Sequence, residues 1–217
     1  MTAQLHVDIV SDVVCPWCAI GYAQLERAAA LVADRAEISV RWHPFELAPD
    51  TPADGKRLAD YSRERYGATP EQAQTSRTRI VETGSALGLD FRYSSESRIY
   101  NSFDAHRLLA WAGETGGQTA LKQALFRAYF TAQRNIAQHD VLLDAVTEAG
   151  LDRDAAAGVL AGDAFADQVR AEEAHWIDQN VTGVPAFIVN GKYMIPGAQD
   201  AETMARVFDR VIAREAA

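Results

Sequence analysis

The hydrophobic residues of the first fifty positions follow two different periods. Residues 5–9 alternate between apolar and polar side chains, and this period of two predicts a β-strand. Apolar positions between residues 18 and 32 recur every three or four residues, which predicts an amphipathic helix. A second strand is predicted at 38–42, before two proline breaks. The chain is therefore expected to open as β-α-β.

From about residue 50 to residue 162 the pattern predicts helices and no strand. Thr69, Pro70 and Gln72 form a capping box that begins one helix, and Gly88 can end it. Further helices are predicted at 99–112, 118–131, 140–149 and 152–161, with Gly150 and Gly162 as stops.

The C-terminal part returns to mixed structure. A helix at about 164–179 precedes two short apolar runs, 186–189 and 193–195, which flank Asn190 and Gly191. An Asn-Gly pair between apolar runs predicts a tight hairpin. A closing amphipathic helix follows Gly197. The predicted fold class is α/β, a thioredoxin-like fold at 1–49 and 163–217 that is split by an all-helical insertion at 50–162.

Composition and charge narrow the range of partners. The chain has 217 residues, of which 48% are hydrophobic and 24% charged, and its formal net charge is -9. A negative protein opposes binding to polyanions, so nucleic acid and membrane surfaces are not expected as partners. Neither a secretory signal nor a long apolar run is visible, and we expect a cytoplasmic protein.

Two cysteines, Cys15 and Cys18, are the only thiols of the chain. A disulfide that closes so short a loop adds little stability, because the stabilisation grows with loop length. The spacing therefore indicates a reactive pair in place of a structural one.

The sequence Cys15-Pro16-Trp17-Cys18 follows a predicted strand and begins a predicted helix. If Pro16 is the first helical residue, Cys15 is the N-cap, and its sulfur faces the free N–H groups of Trp17 and Cys18. The helix dipole favours a thiolate there. We expect Cys15 to attack and Cys18 to resolve the mixed disulfide.

A CxxC pair can also be half of a zinc site, which would need further ligands. The histidines available for that purpose lack the spacing of a zinc finger. No metal site is therefore predicted.

Val184 and Pro185 precede the apolar run at 186–189. A trans proline at the start of a strand is the ordinary interpretation, because few X–Pro bonds in folded proteins are cis. From these residues alone the isomer stays open.

Several stretches together resemble the DsbA-type thioredoxin superfamily, and more closely its FrnE-like branch. They are residues 11–18 (SDVVCPWC), 44–47 (PFEL), 101–108 (NSFDAHRL), 183–185 (GVP) and 196–199 (PGAQ). The resemblance spans nearly the whole chain. It implies a thioredoxin fold with an inserted helical domain, redox-active Cys15 and Cys18, and a cis Val184–Pro185 bond beside them.

The resemblance also implies a substrate site. Pro16, Trp17, Val184 and Pro185 would contact the thiol or disulfide substrate, and the backbone of Val184 would pair with an extended substrate chain.

The chain departs from the superfamily pattern at two positions. Ile9 stands where many members carry a buried acid that accepts the proton of the resolving thiol, so the acceptor for Cys18 is unidentified. Asp12 is nearer the motif, but an Asp before a turn is more often a turn residue than a catalytic one. Trp17 replaces the histidine of the periplasmic oxidants, and we expect a weaker oxidant than those proteins.

Glutathione-dependent relatives supply the alternative function. Kappa-class glutathione transferases and hydroxychromene-carboxylate isomerases have Ser at the position of Cys15. Gln199 and Asp200 could contact glutathione as a co-substrate, although Asp200 also fits an ordinary N-cap. No tightly bound cofactor is predicted.

A cleft beside the cysteines is a further hypothesis. Asn101, His106 and Arg107 lie on one predicted helix, and His106 is either a packing residue or a groove residue. Trp42, His43 and Phe45 either wall the same cleft or belong to the core.

The leading interpretation is a disulfide oxidoreductase or isomerase that acts on a protein or a small thiol. The alternative is a glutathione-dependent isomerase or transferase acting on a hydrophobic aromatic or polyketide-like molecule, and the third interpretation is a non-enzymatic binding protein. A homodimer is left open.

Overall fold

A four-stranded mixed sheet forms the centre of the computed structural model, which describes residues 2–215. Its strand order is β2-β1-β5-β6. Strand β1 is parallel to β2, and the other two pairings are antiparallel. The bounds are β1 Ala3–Ser11, β2 Ala36–Pro44, β5 Ala186–Val189 and β6 Tyr193–Pro196.

Helices surround this sheet and fill the middle of the chain. Helix α1 (Pro16–Leu31) carries Cys18, and α4 (Phe103–Thr115), α5 (Gln118–Phe126) and α8 (Ala166–Asp178) pack against β2. The others are α2 (Leu58–Tyr66), α3 (Pro70–Ser85), α6 (His139–Glu148), α7 (Arg153–Ala161) and α9 (Ala201–Glu215).

The alternation along β1 decides which side chains meet α1. Leu5, Val7 and Ile9 are buried in the main core with Cys18, whereas Val10 points to a smaller cluster on the other face. Successive side chains of a strand leave on opposite faces, so the odd positions share the face that α1 covers.

Most predicted elements are confirmed. Thr69 and Gln72 form the reciprocal capping box that begins α3, and Gly88 follows the end of this helix with φ 83°. Asn190 (φ 50°) and Gly191 (φ 66°) make the tight turn between β5 and β6. Both residues have the left-handed backbone that such a turn requires.

Residues 50–162 differ from the prediction at several points, and they include a helix that was not predicted, α2. They also contain a short antiparallel pair, β3 (Lys56–Arg57) with β4 (Arg98–Ile99), so the expectation of no strand there is wrong. Ile99 belongs to β4, and the helix predicted from residue 99 begins only at Phe103. The predicted helix 118–131 ends its α-helical part at Phe126 and continues as a π-helical turn.

Helix α8 packs against both β2 and α4. It therefore joins the sheet to the helical part of the chain, and the predicted domain limit at residue 162 stays a prediction. No helix within residues 2–215 is both long and apolar enough to cross a membrane.

Candidate active site

The first cysteine, Cys15, lies between the end of β1 and the start of α1. Cys15 is the N-cap residue, with φ −90° and ψ 111°, and Pro16 is the first helical residue, as predicted. The backbone N–H of Cys18 donates to the Cys15 carbonyl at 3.1 Å. Because proline has a fixed φ and lacks an N–H, it suits this first position.

The Cys15 side chain does not make the predicted capping contact. It forms no hydrogen bond with the N–H groups of the first turn. Instead the thiol donates to the carbonyl oxygen of Val184, with 3.6 Å between sulfur and oxygen. Both cysteines are free thiols here, and a thiol carries a proton that a carbonyl can accept.

The Val184–Pro185 bond is cis and its carbonyl oxygen contacts Cys15, so the prediction from the family resemblance is confirmed. Gly197 donates its N–H to the Pro185 carbonyl at 2.8 Å. This contact ties the proline to the end of β6. The Val184–Pro185 segment is thereby held next to β5 and β6, beside Cys15.

The two cysteines differ in exposure. Cys15 retains 3% of its surface and Cys18 retains none. Burial, together with the hydrogen bond and charge of Cys15, raises the pKa of the Cys18 thiol well above its usual range. The charge of Lys122 and a backbone hydrogen bond from Asp12 act in the opposite direction.

Asp12 is a fully buried carboxylate that holds the loop ahead of the cysteines. It accepts the backbone N–H of Leu47 at 2.7 Å and that of Val14 at 3.4 Å. Burial raises its pKa, but the nearby His106 side chain, with its charge, and the backbone donor Leu47 outweigh burial and leave the pKa below the ordinary value. Asp12 is therefore a turn residue, the more frequent of the two predicted roles.

His106 is 2% exposed, and its Nε2 lies 3.4 Å from Asp12 Oδ1. The contact is too poorly aligned for a good hydrogen bond, and Nε2 has no better partner among the described residues. His106, Trp42 and His43 line one cavity of about 500 Å³. They thus share a cavity, but neither cysteine lines it, and the cleft beside the cysteines stays a prediction. Phe45 packs against the small core cluster on the other face of the sheet.

Asn101 lies ahead of α4 and not within it. Its amide donates to the Pro49 carbonyl at 2.7 Å and accepts the N–H of Phe103 at 2.9 Å. Arg107 is buried, and it donates to the carbonyls of Ala164 and Val159. Neither residue lines the cavity that contains His106, Trp42 and His43.

Lys122 is the site residue that the sequence analysis missed. It lies on α5, is completely buried and lines the same cavity as His106. Burial lowers its pKa to about 8, although the charges of Cys18, Asp12 and Cys15 act to raise it. One signal could have revealed it, because a lysine three and four residues before Leu125 and Phe126 lies on the apolar stripe of its helix.

Trp17 is half-buried beside a second groove. The guanidinium of Arg79, on α3, lies 5.5 Å from the centre of the Trp17 ring. Arg77, Arg92 and Tyr93 line a cavity of about 880 Å³ along α3. Burial and then the charge of Cys15 raise the pKa of Tyr93 above its ordinary value.

The residues predicted for glutathione lie at the start of α9. Asp200 accepts the backbone N–H of Thr203 at 2.8 Å and is an N-cap. Gln199 donates to the Pro196 carbonyl at 2.8 Å. Both are engaged locally, and their contact with glutathione stays a prediction. Within residues 2–215, no three His, Cys, Asp or Glu side chains are grouped as a metal site.

Similar proteins agree with this geometry. A probable DsbA oxidoreductase from Streptomyces coelicolor is 33% identical, with a TM-score of 0.90, over 96% of this chain and 90% of that one. The uncharacterized protein YwbO of Bacillus subtilis (strain 168) is 27% identical over 212 residues, 97% of each chain. The cytosolic disulfide reductase DsbM of Pseudomonas aeruginosa shares the fold, at 20% identity and a TM-score of 0.63, over 96% of this chain and 98% of that one.

A family model gives the assignment. The model of the DSBA-like thioredoxin domain matches residues 6–209, nearly the whole chain. The sheet order, the thiol pair at the start of α1 and the adjacent cis proline are the structural counterpart of that match. The chain therefore belongs to the DSBA-like thioredoxin domain family of thiol oxidoreductases.

Proposed function

We propose that the protein is a thiol–disulfide oxidoreductase in which Cys15 attacks the substrate disulfide and Cys18 resolves the adduct. The observation that carries the proposal is the contact of 3.6 Å between Cys15 Sγ and the carbonyl of Val184, beside the cis proline. It places the outer sulfur next to backbone that an extended substrate can pair with.

The chemistry follows from the two free thiols. The Cys15 thiolate attacks one sulfur of a substrate disulfide, forms a mixed disulfide and releases the other sulfur as a thiolate. Cys18 then attacks Cys15, so that the substrate leaves reduced and the protein holds a Cys15–Cys18 disulfide. Because Cys18 is fully buried, only Cys15 meets the substrate first.

The test is to trap the first adduct. In Cys18→Ala the mixed disulfide on Cys15 lacks an internal thiol to resolve it, and we expect it to accumulate. Non-reducing electrophoresis and mass spectrometry of the variant from cells under oxidative challenge would identify the partner. Cys15→Ala is the matched control, and it should trap nothing. Recovery of unmodified Cys15 after rapid acid quenching would refute the proposal.

A glutathione-dependent reaction is the second candidate, and the groove along α3 favours it. The groove is lined by Arg77, Arg92 and Tyr93, and Arg79 of the same helix lies above Trp17 of the active-site motif. Guanidinium groups suit the carboxylates of a small acidic thiol. The Ser of the isomerase relatives suggests the test, because Cys15→Ser should abolish disulfide exchange but keep a glutathione-dependent isomerase or transferase activity.

A further inference from the structure

A lysine without a hydrogen-bond partner is buried behind the cysteines. Lys122 is 0% exposed, and its Nζ has no partner among the described residues. A buried ammonium is costly unless it is paired. The site therefore favours loss of a proton from Lys122 more than a surface position does.

The surroundings of Lys122 place it beside the strand that carries the active-site loop. Its Nζ lies 5.2 Å from the ring centre of Trp42 and 5.2 Å from that of Phe126. Trp42 is the register partner of Ile9 in the β1–β2 pairing, and both are in the core that contains Cys18. Lys122, on α5, thus lies near the part of the sheet where β1 provides the apolar side chain of Ile9.

Resolution of the mixed disulfide needs a group that takes the proton of Cys18. Asp12 is poorly suited, since its oxygens already accept the N–H groups of Val14 and Leu47 and face His106. Cys15 is bound to the substrate at that moment. Lys122 Nζ is the remaining basic atom whose charge acts directly on Cys18.

We propose that Lys122, as a neutral amine, accepts the proton of Cys18 during resolution, an inference that rests on the proposed oxidoreductase function. Because Nζ has no hydrogen-bond partner among the described residues, the proton moves through one water molecule, which the cavity beside Lys122 has room to hold. The Cys18 S–H bond breaks and an N–H bond forms on Nζ. The Cys18 sulfur forms a bond with the Cys15 sulfur, and the bond from Cys15 to the substrate sulfur breaks. The substrate leaves as a thiolate, and Lys122 is left as an ammonium ion.

The charges that act on Lys122 come from the start of α1 and the loop before it: Cys18, Asp12 and Cys15. Further titratable groups line the same cavity from the other packed elements: His106 and Glu114 on α4, Arg41 and His43 on β2, and Glu172 on α8. The charges of both thiolates raise the pKa of Lys122 above what burial alone would give. In the mixed disulfide those charges are absent, and the amine form is favoured further.

The experiment follows resolution separately from attack. Reduced protein is mixed with glutathione disulfide and quenched with acid at intervals, and mass spectrometry measures the glutathione adduct and the oxidised protein. The rate of the second step is determined across a pH range that brackets the pKa of about 8. Lys122→Met and Lys122→Arg are compared with the wild type, and Lys192→Met is the control, because Lys192 is exposed.

We expect both Lys122 variants to form the adduct on Cys15, at a rate that changes far less than the rate of resolution. Resolution should be slower by about 100-fold in both Lys122 variants, the lower end of the effect of a general base. The wild-type inflection, which we expect below pH 8 because the thiolate charges are absent from the mixed disulfide, should disappear. Lys122→Met should fold at least as well as wild type, because it removes an unpaired buried charge.

Two results would overturn the inference. Wild-type resolution in Lys122→Met would mean that the proton goes elsewhere, and wild-type resolution in Lys122→Arg would mean that only a positive charge is needed. Failure of the wild type to form any adduct would instead refute the proposed function.

Discussion

Gly21 lies on α1 and faces the cis proline, so its replacement by alanine should change the free energy of unfolding. A Cβ at this position would lie 2.9 Å from Phe187 Cζ and 3.1 Å from Pro185 Cγ. Phe187 is 0% exposed and cannot swing into solvent. Alanine gains about 1 kcal/mol over glycine in a helix interior, whereas overpacking costs about 1–3 kcal/mol. We expect Gly21→Ala to lower the free energy of unfolding by up to about 2 kcal/mol.

The same substitution at Gly158 is the matched control. This residue lies within α7 and an added Cβ would meet no atom within 4 Å. Only the propensity gain remains there, so Gly158→Ala should stabilise the protein by up to about 1 kcal/mol. Urea unfolding of the two reduced variants, at unchanged m-value, measures both effects.

The two variants should also differ in the rate of disulfide exchange. A shift of Pro185 moves the neighbouring carbonyl of Val184 relative to Cys15, so disulfide exchange should be slower in Gly21→Ala and unchanged in Gly158→Ala. Exchange with a short peptide disulfide measures this rate. If Gly21→Ala were stabilised as much as Gly158→Ala and kept its exchange rate, the packing argument would be refuted.

Two further predictions concern stability. His43 lies 2.9 Å from both Asp8 and Glu172. Burial opposes the charge of His43, but the two carboxylates outweigh burial and raise its pKa above 6.5. His43 in turn lowers the pKa of Asp8 below 3.8 and that of Glu172 below 4.5. The stabilisation is therefore largest between pH 4.5 and 6.5 and is lost as pH rises through the folded pKa of His43 or falls through those of the acids. His43→Gln should cost about 2 kcal/mol in that window and less above it, as urea unfolding against pH would show. Thr69 caps α3, because its Oγ1 accepts the backbone N–H of Gln72 at 3.3 Å. Thr69→Ala should therefore lower the free energy of unfolding by about 1 kcal/mol. An unchanged thermal midpoint would contradict this prediction.

Elements with a local cause could be predicted from the sequence. The hairpin at Asn190 and Gly191 depends on two left-handed residues, and the start of α1 depends on Pro16 following an extended residue. Each of these requirements is met by residues that are adjacent in the sequence. The position of Cys15 as N-cap followed from the same local rule, and the structure confirms it.

Contacts between distant segments could not be read in this way. The short β3–β4 pairing joins residues far apart in the chain, and the Tyr129 hydroxyl donates to the Arg98 carbonyl at 2.8 Å. Such contacts hold Ile99 extended although its apolar spacing suits a helix. The direction of the Cys15 thiol was missed for the same reason, since Val184 comes from the other end of the domain.

The helical insertion contributes to the chemistry of the cysteines as well as covering them. Asp12, in the loop before Cys15, is held in contact with His106 from α4, and Lys122 from α5 acts on Cys18. Burial alone would make the Cys18 thiolate difficult to form. Because β1 carries Ile9 where an acid could have eased that step, the proposed mechanism assigns it to Lys122 of α5. The reactivity of Cys18 therefore depends on how α5 packs on β2, and a variant that loosens this packing should impair resolution while leaving the attack by Cys15 intact.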